Sequence, residues 1–134
     1  MSAQVNYLFV YGTLMQGFEN PFATKLRAGS DFVEKGCFLG NLYRVDWYPG
    51  AIYEPESKTL VWGEVYRLFD FEKLITELDV YEGLGEDETT SQYLRRRVSV
   101  LLDNGQELIC WTYIYNQSTD NLLLIEGGRF RAVE

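Results

Sequence analysis

Three observations predict that the chain forms an α+β domain with a closed or strongly curled sheet. Segments rich in β-branched and aromatic residues recur along the chain between turn residues, as is typical of strands. Two segments have the apolar spacing expected of helices, and both are short. Aromatic residues make up 16% of the 134 residues, which favours a β-containing fold with an aromatic-lined core or pocket. No repeat or linker-like segment interrupts the chain, so residues 1–134 are interpreted as a single domain.

The strand predictions depend on turn residues that separate β-rich segments. The first strand is apolar enough to be buried on both faces. Turn residues are expected at Gly40-Asn41, Tyr48-Pro49-Gly50 and Pro55-Glu56-Ser57. Asp103-Asn104-Gly105 contains an Asn-Gly pair, which is a strong hairpin signal between two β-rich runs. In chain order the predicted strands are Val5–Tyr11, Asp31–Leu39, Leu42–Asp46, Ala51–Glu54, Leu60–Leu68, Tyr93–Leu102, Gln106–Tyr115 and Leu122–Ile125.

Both predicted helices begin at residues suited to capping. Asn20 followed by Pro21 predicts an N-cap and a first helical residue, with the helix ending near Ala28. Asp70 can cap the second helix, and Gly83 is suited to follow its last turn. The second helix carries an apolar stripe made of Phe71, Leu74, Ile75, Leu78 and Tyr81.

The composition excludes several kinds of catalytic and metal site. The sequence contains no histidine, so a Ser-His-Asp triad, a Cys-His dyad and a histidine-based zinc site are all excluded. Cys37 and Cys110 cannot complete a four-cysteine site, and they are interpreted as reduced core residues. An enzyme with this composition must move protons with a carboxylate, lysine, tyrosine or cysteine.

The charge of the chain argues against nucleic acid or an anionic membrane as its main partner. The net charge is −8, whereas both partners require clustered lysine and arginine. No apolar stretch approaches the roughly 20 residues needed to cross a bilayer. The N-terminus lacks the pattern of a signal peptide, so a cytoplasmic protein is expected. The oligomeric state stays open.

Glu82 is the first candidate for chemistry. It falls within the apolar stripe of the second helix, which directs its carboxylate toward the core. The helix dipole at this terminus and desolvation both disfavour its charge and so raise its pKa. A carboxylate in this setting is a candidate general base. On position alone, the alternative that a frayed last turn leaves Glu82 in solvent stays open.

The second candidate is the segment that follows the first strand, Val10-Tyr11-Gly12-Thr13-Leu14. A buried strand that runs into glycine leaves the next backbone N–H groups without partners in the sheet. Such groups can form an anion-binding nest or an oxyanion hole, and Gly12 would let a ligand approach the backbone closely. An ordinary strand-ending turn is the alternative. Tyr48-Pro49-Gly50 is likewise open to two interpretations, a structural turn or part of a pocket.

The order of five short motifs resembles that of the γ-glutamylcyclotransferase-like (AIG2-like) family. The resemblance spans nearly the whole chain and implies a small mixed β-barrel with flanking short helices. The motifs are Val10–Leu14, Tyr48–Ala51, Leu78–Gly83, Tyr93–Arg95 and Gly128–Phe130.

The resemblance also implies an activity and a set of site residues. The implied reaction is the intramolecular cyclisation of a γ-glutamyl amine or peptide to 5-oxoproline with release of the amine, a transferase- or lyase-type reaction without cofactor or metal. Glu82 takes the role of general acid/base, and the loop formed by Tyr11, Gly12, Thr13 and Leu14 binds the glutamyl end. The predicted substrate-binding set is completed by Tyr48, Pro49, Gly50 and Tyr93. The alternative is a non-catalytic domain that binds a small carboxylate or amine metabolite in the same pocket.

Two segments depart from the usual family pattern. Gly17–Pro21 replaces a more polar stretch, and Gly128–Arg131 lacks a tryptophan that relatives often carry. Both departures leave the identity of the departing amine open, and neither involves the proposed base.

Overall fold

The computed structural model describes residues 6–84 and 87–130, and in these ranges it contains seven strands and two helices. The predicted start of the first strand, Val5, lies outside the described residues. In chain order the elements are β1 (Tyr7–Val10), α1 (Pro21–Ala28), β2 (Ser30–Arg44), β3 (Pro49–Tyr53), β4 (Leu60–Leu68), α2 (Phe71–Tyr81), β5 (Tyr93–Leu102), β6 (Glu107–Tyr115) and β7 (Leu123–Leu124).

Five of the strands close into a barrel. They follow the order β2-β4-β1-β6-β5, and β5 pairs again with β2 at Gly36 and Cys37. The β1–β6 pair is parallel and the other pairs are antiparallel. β3 and β7 pair with the second half of β2, outside the closed set. This arrangement confirms the small mixed barrel with two flanking short helices.

β1 separates two apolar cores. Leu8 and Val10 pack with the two helices, whereas Phe9 and Tyr11 belong to the core inside the barrel. Because side chains alternate along a strand, burial of both sets means that both faces are covered. The prediction of a strand buried on both faces is therefore confirmed. Cys37 and Cys110 are also buried, and neither forms a disulfide.

The predicted turn at Gly40-Asn41 is wrong, because β2 runs without a break through both residues. Gly40 pairs with Tyr53 of β3, and a Cβ built on it would lie 2.0 Å from the Ile52 carbonyl oxygen. Glycine is required here because the two backbones approach closely, and glycine within a strand often marks such an approach.

The turn predicted at residues 48–50 lies earlier in the structure. Pro49 and Gly50 already belong to β3, where they pair with Arg44 and Tyr43. The reversal occurs before them, closed by a hydrogen bond from the Val45 N–H to the Tyr48 carbonyl (3.0 Å). This shift matters for the site, because Tyr48 then lies in the turn and Pro49 is the first residue of β3.

Both helix caps are formed as predicted. The Asn20 side chain accepts hydrogen bonds from the N–H groups of residues 22 and 23 (3.1 and 2.8 Å), and the Asp70 carboxylate accepts one from residue 73 (3.3 Å). Gly83 follows the last turn of α2 with a φ of 78°, a conformation that glycine adopts at little cost. In the described part of the chain, neither helix has the length and apolar character needed to span a bilayer.

Candidate active site

A cavity of about 140 Å³ opens where β1 ends. Its walls come from the loop at residues 11–14, the turn at residues 47–49, the end of α2 at residues 81–82, the start of β5 at residues 92–93, and Tyr113 of β6. The barrel thus brings together segments that are far apart in sequence, with the end of β1 at the centre.

Glu82 lies directly after the last residue of α2 and lines the cavity. Its backbone continues the helical turn, because its N–H donates to the Leu78 carbonyl (2.9 Å). Gly83 then turns the chain away. Glu82 is partly buried, and no hydrogen bond joins its carboxyl to any other described residue. The carboxyl therefore retains its full capacity to bind a ligand in the cavity.

The environment of Glu82 disfavours its charged form. Burial, followed by the nearby charge of Asp79, raises the pKa of Glu82 to about 8. The same proximity acts on the surrounding phenols: burial first, and the charge of Glu82 among the further causes, raise the pKa of Tyr11, Tyr93 and Tyr113. These tyrosines are thus protonated at neutral pH and serve as hydrogen-bond donors.

The loop after β1 is held in place by side-chain hydrogen bonds. The Tyr11 hydroxyl donates to the Tyr113 carbonyl (2.5 Å) and accepts from the Ala51 N–H (3.1 Å). The hydroxyl of Thr13 is hydrogen-bonded to that of Tyr81 (2.6 Å), and the Thr13 carbonyl accepts from the Asn20 side chain (2.9 Å). These contacts connect the loop to α1, α2, β3 and β6.

The backbone N–H groups of this loop are available to a ligand. Within the described parts of the chain, no hydrogen-bond partner is found for the N–H groups of Gly12, Thr13 and Leu14, all of which line the cavity. Successive unpaired N–H groups are suited to bind a carboxylate or a developing oxyanion. No lysine or arginine is among the described residues that line the cavity, so such an anion would be bound by neutral donors.

The opposite wall is held by two tyrosines. The Tyr93 hydroxyl donates to the Pro49 carbonyl (2.5 Å), and the Gln92 side chain donates to the Tyr48 hydroxyl (2.5 Å). Together the two bonds tie the start of β3 and the turn before it to the start of β5 and the residue before it. They fix the width of the cavity on the side that faces the loop after β1.

Known proteins are similar in sequence to this chain over most of its length. The family model described as gamma-glutamyl cyclotransferase, AIG2-like, matches residues 8–132. The chain belongs to this family. MJ1514 of Methanocaldococcus jannaschii, which carries a provisional gamma-glutamylcyclotransferase name, is 31% identical over 129 residues, covering 95% of this chain and 97% of that protein.

Two further comparisons concern an enzyme of this family and a solved AIG2-like structure. The gamma-L-glutamyl-butirosin B gamma-glutamyl cyclotransferase of Niallia circulans is 31% identical over 112 residues, covering 82% of this chain and 67% of that enzyme. The crystal structure of an AIG2-like protein from Mus musculus superposes with a TM-score of 0.72 at 22% identity, covering 96% of this chain and 90% of that one. The second likeness concerns the fold.

The AIG2-like fold brings most of the predicted site residues to one cavity. Gly50 is the exception, because it does not line the cavity and instead packs against the Tyr115 ring, where an added Cβ would lie 2.8 Å from the ring. The predicted residues that line the cavity are Tyr11, Gly12, Thr13, Leu14, Tyr48, Pro49, Tyr93 and Glu82. Six lining residues were not among those predicted: Phe9, Val10, Trp47, Tyr81, Gln92 and Tyr113.

A partly buried ion-pair network beside Glu82 was also missed. Asp79 accepts two hydrogen bonds from the Arg95 guanidinium (2.9 and 3.1 Å) and one from the Tyr113 hydroxyl (2.7 Å). This network joins α2 to β5 and β6 and holds the Tyr113 ring at the cavity wall. The sequence offers one indication of this network. Asp79 flanks the apolar stripe of α2 and belongs to the same motif as Glu82.

No group of three or more aspartate, glutamate or cysteine residues in the described ranges is arranged to hold a metal ion.

Proposed function

We propose that this protein is a γ-glutamylcyclotransferase-type enzyme that converts a γ-glutamyl amine into 5-oxoproline and a free amine. One observation carries the proposal: the partly buried Glu82, whose carboxyl has no hydrogen-bond partner among the described residues, lines the same small cavity as Gly12, Thr13 and Leu14, whose N–H groups have no partner there either. The Niallia circulans relative, a gamma-L-glutamyl-butirosin B gamma-glutamyl cyclotransferase by name, supports the substrate class.

In the proposed reaction the substrate supplies the nucleophile. The α-ammonium group has no lone pair, so it first loses a proton, which Glu82 accepts. The α-nitrogen then forms a bond to the γ-carbonyl carbon, and the carbonyl electrons move to oxygen to give a tetrahedral oxyanion. The C=O bond re-forms as the bond to the leaving nitrogen breaks, and Glu82 gives its proton to that nitrogen. The excess proton on the ring nitrogen returns to the Glu82 carboxylate and leaves to solvent.

The cavity supports this reaction chiefly by positioning. Holding the two ends of the glutamyl group together provides the proximity advantage of an intramolecular reaction. The N–H groups of Gly12, Thr13 and Leu14 would bind either the α-carboxylate or the oxyanion, both of which need hydrogen-bond donors. An activated serine or cysteine is not needed, which agrees with a chain that lacks histidine.

A substrate screen tests the proposed activity. Incubation with γ-glutamyl amides and peptides is expected to release 5-oxoproline and the free amine in equal amounts, measured by mass spectrometry. The product ratio matters, because hydrolysis would give glutamate in place of 5-oxoproline. Saturable binding of these compounds without product would contradict the proposal and support the alternative of a binding domain.

The pH dependence of kcat/KM is expected to reflect the raised pKa of Glu82. A general base acts only when deprotonated, so below the Glu82 pKa of about 8 the rate should rise about tenfold per pH unit, then level off. A carboxylate with an ordinary pKa would already be fully active near pH 6. A flat profile between pH 6 and 8 would therefore contradict the assignment of Glu82 as the base.

Asp79→Asn is the matched control for this profile. The charge of Asp79 helps to raise the pKa of Glu82, so its removal should move the rising limb to lower pH. Asparagine keeps an oxygen that can accept from the Arg95 side chain, although the ion pair is lost. The substrate amine titrates identically with the wild type and with Asp79→Asn. A shift in the rising part of the kcat/KM profile therefore originates in the protein.

A further inference from the structure

A second recess adjoins the cavity. It is a groove of about 420 Å³, and it shares Thr13, Trp47 and Tyr81 with the cavity. Trp47 stands at the junction with 63% of its surface exposed. A γ-glutamyl compound bound with its reacting carbonyl at Glu82 must extend its amine substituent out of the small cavity, and the groove borders that cavity at the three residues they share.

The groove is walled by aromatic rings. Phe18 stacks on Phe130 with ring centroids 5.7 Å apart and planes 16° from parallel. Phe22 stacks on Tyr81 at 4.5 Å and 30°. Phe18 and Phe130 come from the two segments, residues 17–21 and 128–131, that depart from the usual family pattern, and the fold brings these two departures into direct contact.

The described residues that line the groove carry one negative charge and no positive charge. Glu19 is the only charged side chain among the described residues that line it. Three cations lie close to the wall residues without lining the groove: Arg44 over the Phe130 ring, Lys25 over the Phe22 ring, and Arg27 beside the Phe18 carbonyl. Lys25 also pairs with Glu77 (3.5 Å).

The geometry points to a leaving-group site for an amine with an aromatic or extended apolar body and no carboxylate. This inference rests on the proposed function and names the substrate class within it. The ring of the leaving amine would pack against Phe18 and Trp47, while Glu19 would repel the α-carboxylate that a peptide leaving group carries.

Three probe compounds separate the contributions of ring and charge. γ-Glutamyl-phenethylamide and γ-glutamyl-ethylamide differ in the ring, whereas γ-glutamyl-phenethylamide and γ-glutamyl-phenylalanine differ in the carboxylate. We expect kcat/KM for the phenethylamide to exceed that for the ethylamide by roughly tenfold, because a ring enters an apolar site. It should also exceed that for γ-glutamyl-phenylalanine. Equal values for all three, or a preference for γ-glutamyl-phenylalanine through a cation such as Arg44, would overturn the inference.

Two variants test the residues that carry the inference. Phe18→Ala should reduce the ratio of kcat/KM for the phenethylamide to kcat/KM for the ethylamide. Glu19→Gln should reduce the difference in kcat/KM between the phenethylamide and γ-glutamyl-phenylalanine. Phe69→Ala is the matched control, because Phe69 is exposed and lines neither the cavity nor the groove. An unchanged ratio in Phe18→Ala, with the fold verified by its melting temperature, would overturn the inference.

A binding measurement separates failure of this inference from failure of the proposed function. Titration calorimetry with Glu82→Gln measures affinity while turnover is slow. Tighter binding of the phenethylamide than of the ethylamide supports the leaving-group site even if 5-oxoproline never forms, an outcome that would contradict the proposed reaction alone. Equal affinities overturn the leaving-group site even if 5-oxoproline is released.

Discussion

Replacing Glu82 by glutamine is expected to reduce kcat for 5-oxoproline formation by about 10²- to 10⁴-fold, the usual contribution of general acid–base catalysis. Glutamine has nearly the same shape as glutamate but cannot accept the proton of the substrate ammonium. The Glu82 carboxyl makes no hydrogen bond to another described residue, so the substitution removes no hydrogen bond among them. The variant should fold and should still bind substrate through the loop after β1.

Glu72→Gln is the matched control for this experiment. Glu72 lies on the same helix and is exposed, and it lines neither the cavity nor the groove. The same chemical change at this position should leave turnover unaffected. Comparable activity of Glu82→Gln and the wild type would remove Glu82 from the mechanism.

The stability of Glu82→Gln supplies a second readout that does not depend on substrate. The pKa of Glu82 is raised from 4.5 to about 8, so between these values the unfolded chain has lost a proton that the folded protein keeps. The free energy of unfolding of the wild type therefore falls as pH rises through this window. Glutamine does not titrate, so the variant should gain stability relative to the wild type from pH 4.5 to pH 8. An unchanged difference in melting temperature across this window would show that Glu82 has an ordinary pKa.

The parts of the fold that could be predicted are those set by local chemistry. The caps at Asn20 and Asp70, the hairpin at residues 103–105 and the doubly buried first strand each depend on a few neighbouring residues. Gly40 and Pro49 were misinterpreted because the same residue types serve turns and strands. At Gly40 the deciding factor is the Ile52 carbonyl of another strand, a contact that local sequence does not contain.

The same distinction applies to the candidate site. Glu82 and the loop after β1 were noticed because helical spacing and a strand-ending glycine are local patterns. Tyr113 is absent from the predicted site, since alternation along a strand indicates that a side chain points inward but not that a cavity lies there. The pairing of Asp79 with Arg95 depends on how α2 packs against β5, and nothing in the spacing of the two residues indicates it.

Gly12→Ala is expected to lower kcat/KM by about 100-fold with only a modest loss of stability. A Cβ at position 12 would lie 2.9 Å from Cγ of Pro49, a distance that real Cβ contacts essentially never show, and 3.0 Å from Cδ. The proline ring cannot give way easily, because it begins β3 and its carbonyl accepts from the Tyr93 hydroxyl. The loop must therefore move, and displacement of binding groups by about 1 Å can cost 10²-fold in rate.

Gly17→Ala separates this geometric effect from a general loss of stability. Gly17 has a φ of 93° with no atom within 4 Å of an added Cβ, so alanine there strains the backbone by about 1–2 kcal/mol without displacing a neighbour. Gly12→Ala should cost a similar 1–3 kcal/mol through overpacking. Two variants of similar melting temperature would then differ in activity only if the N–H groups beside Gly12 act on the substrate. Equal kcat/KM in the two variants would assign the loop after β1 a purely structural role and leave Glu82 without the partner that the proposed reaction requires.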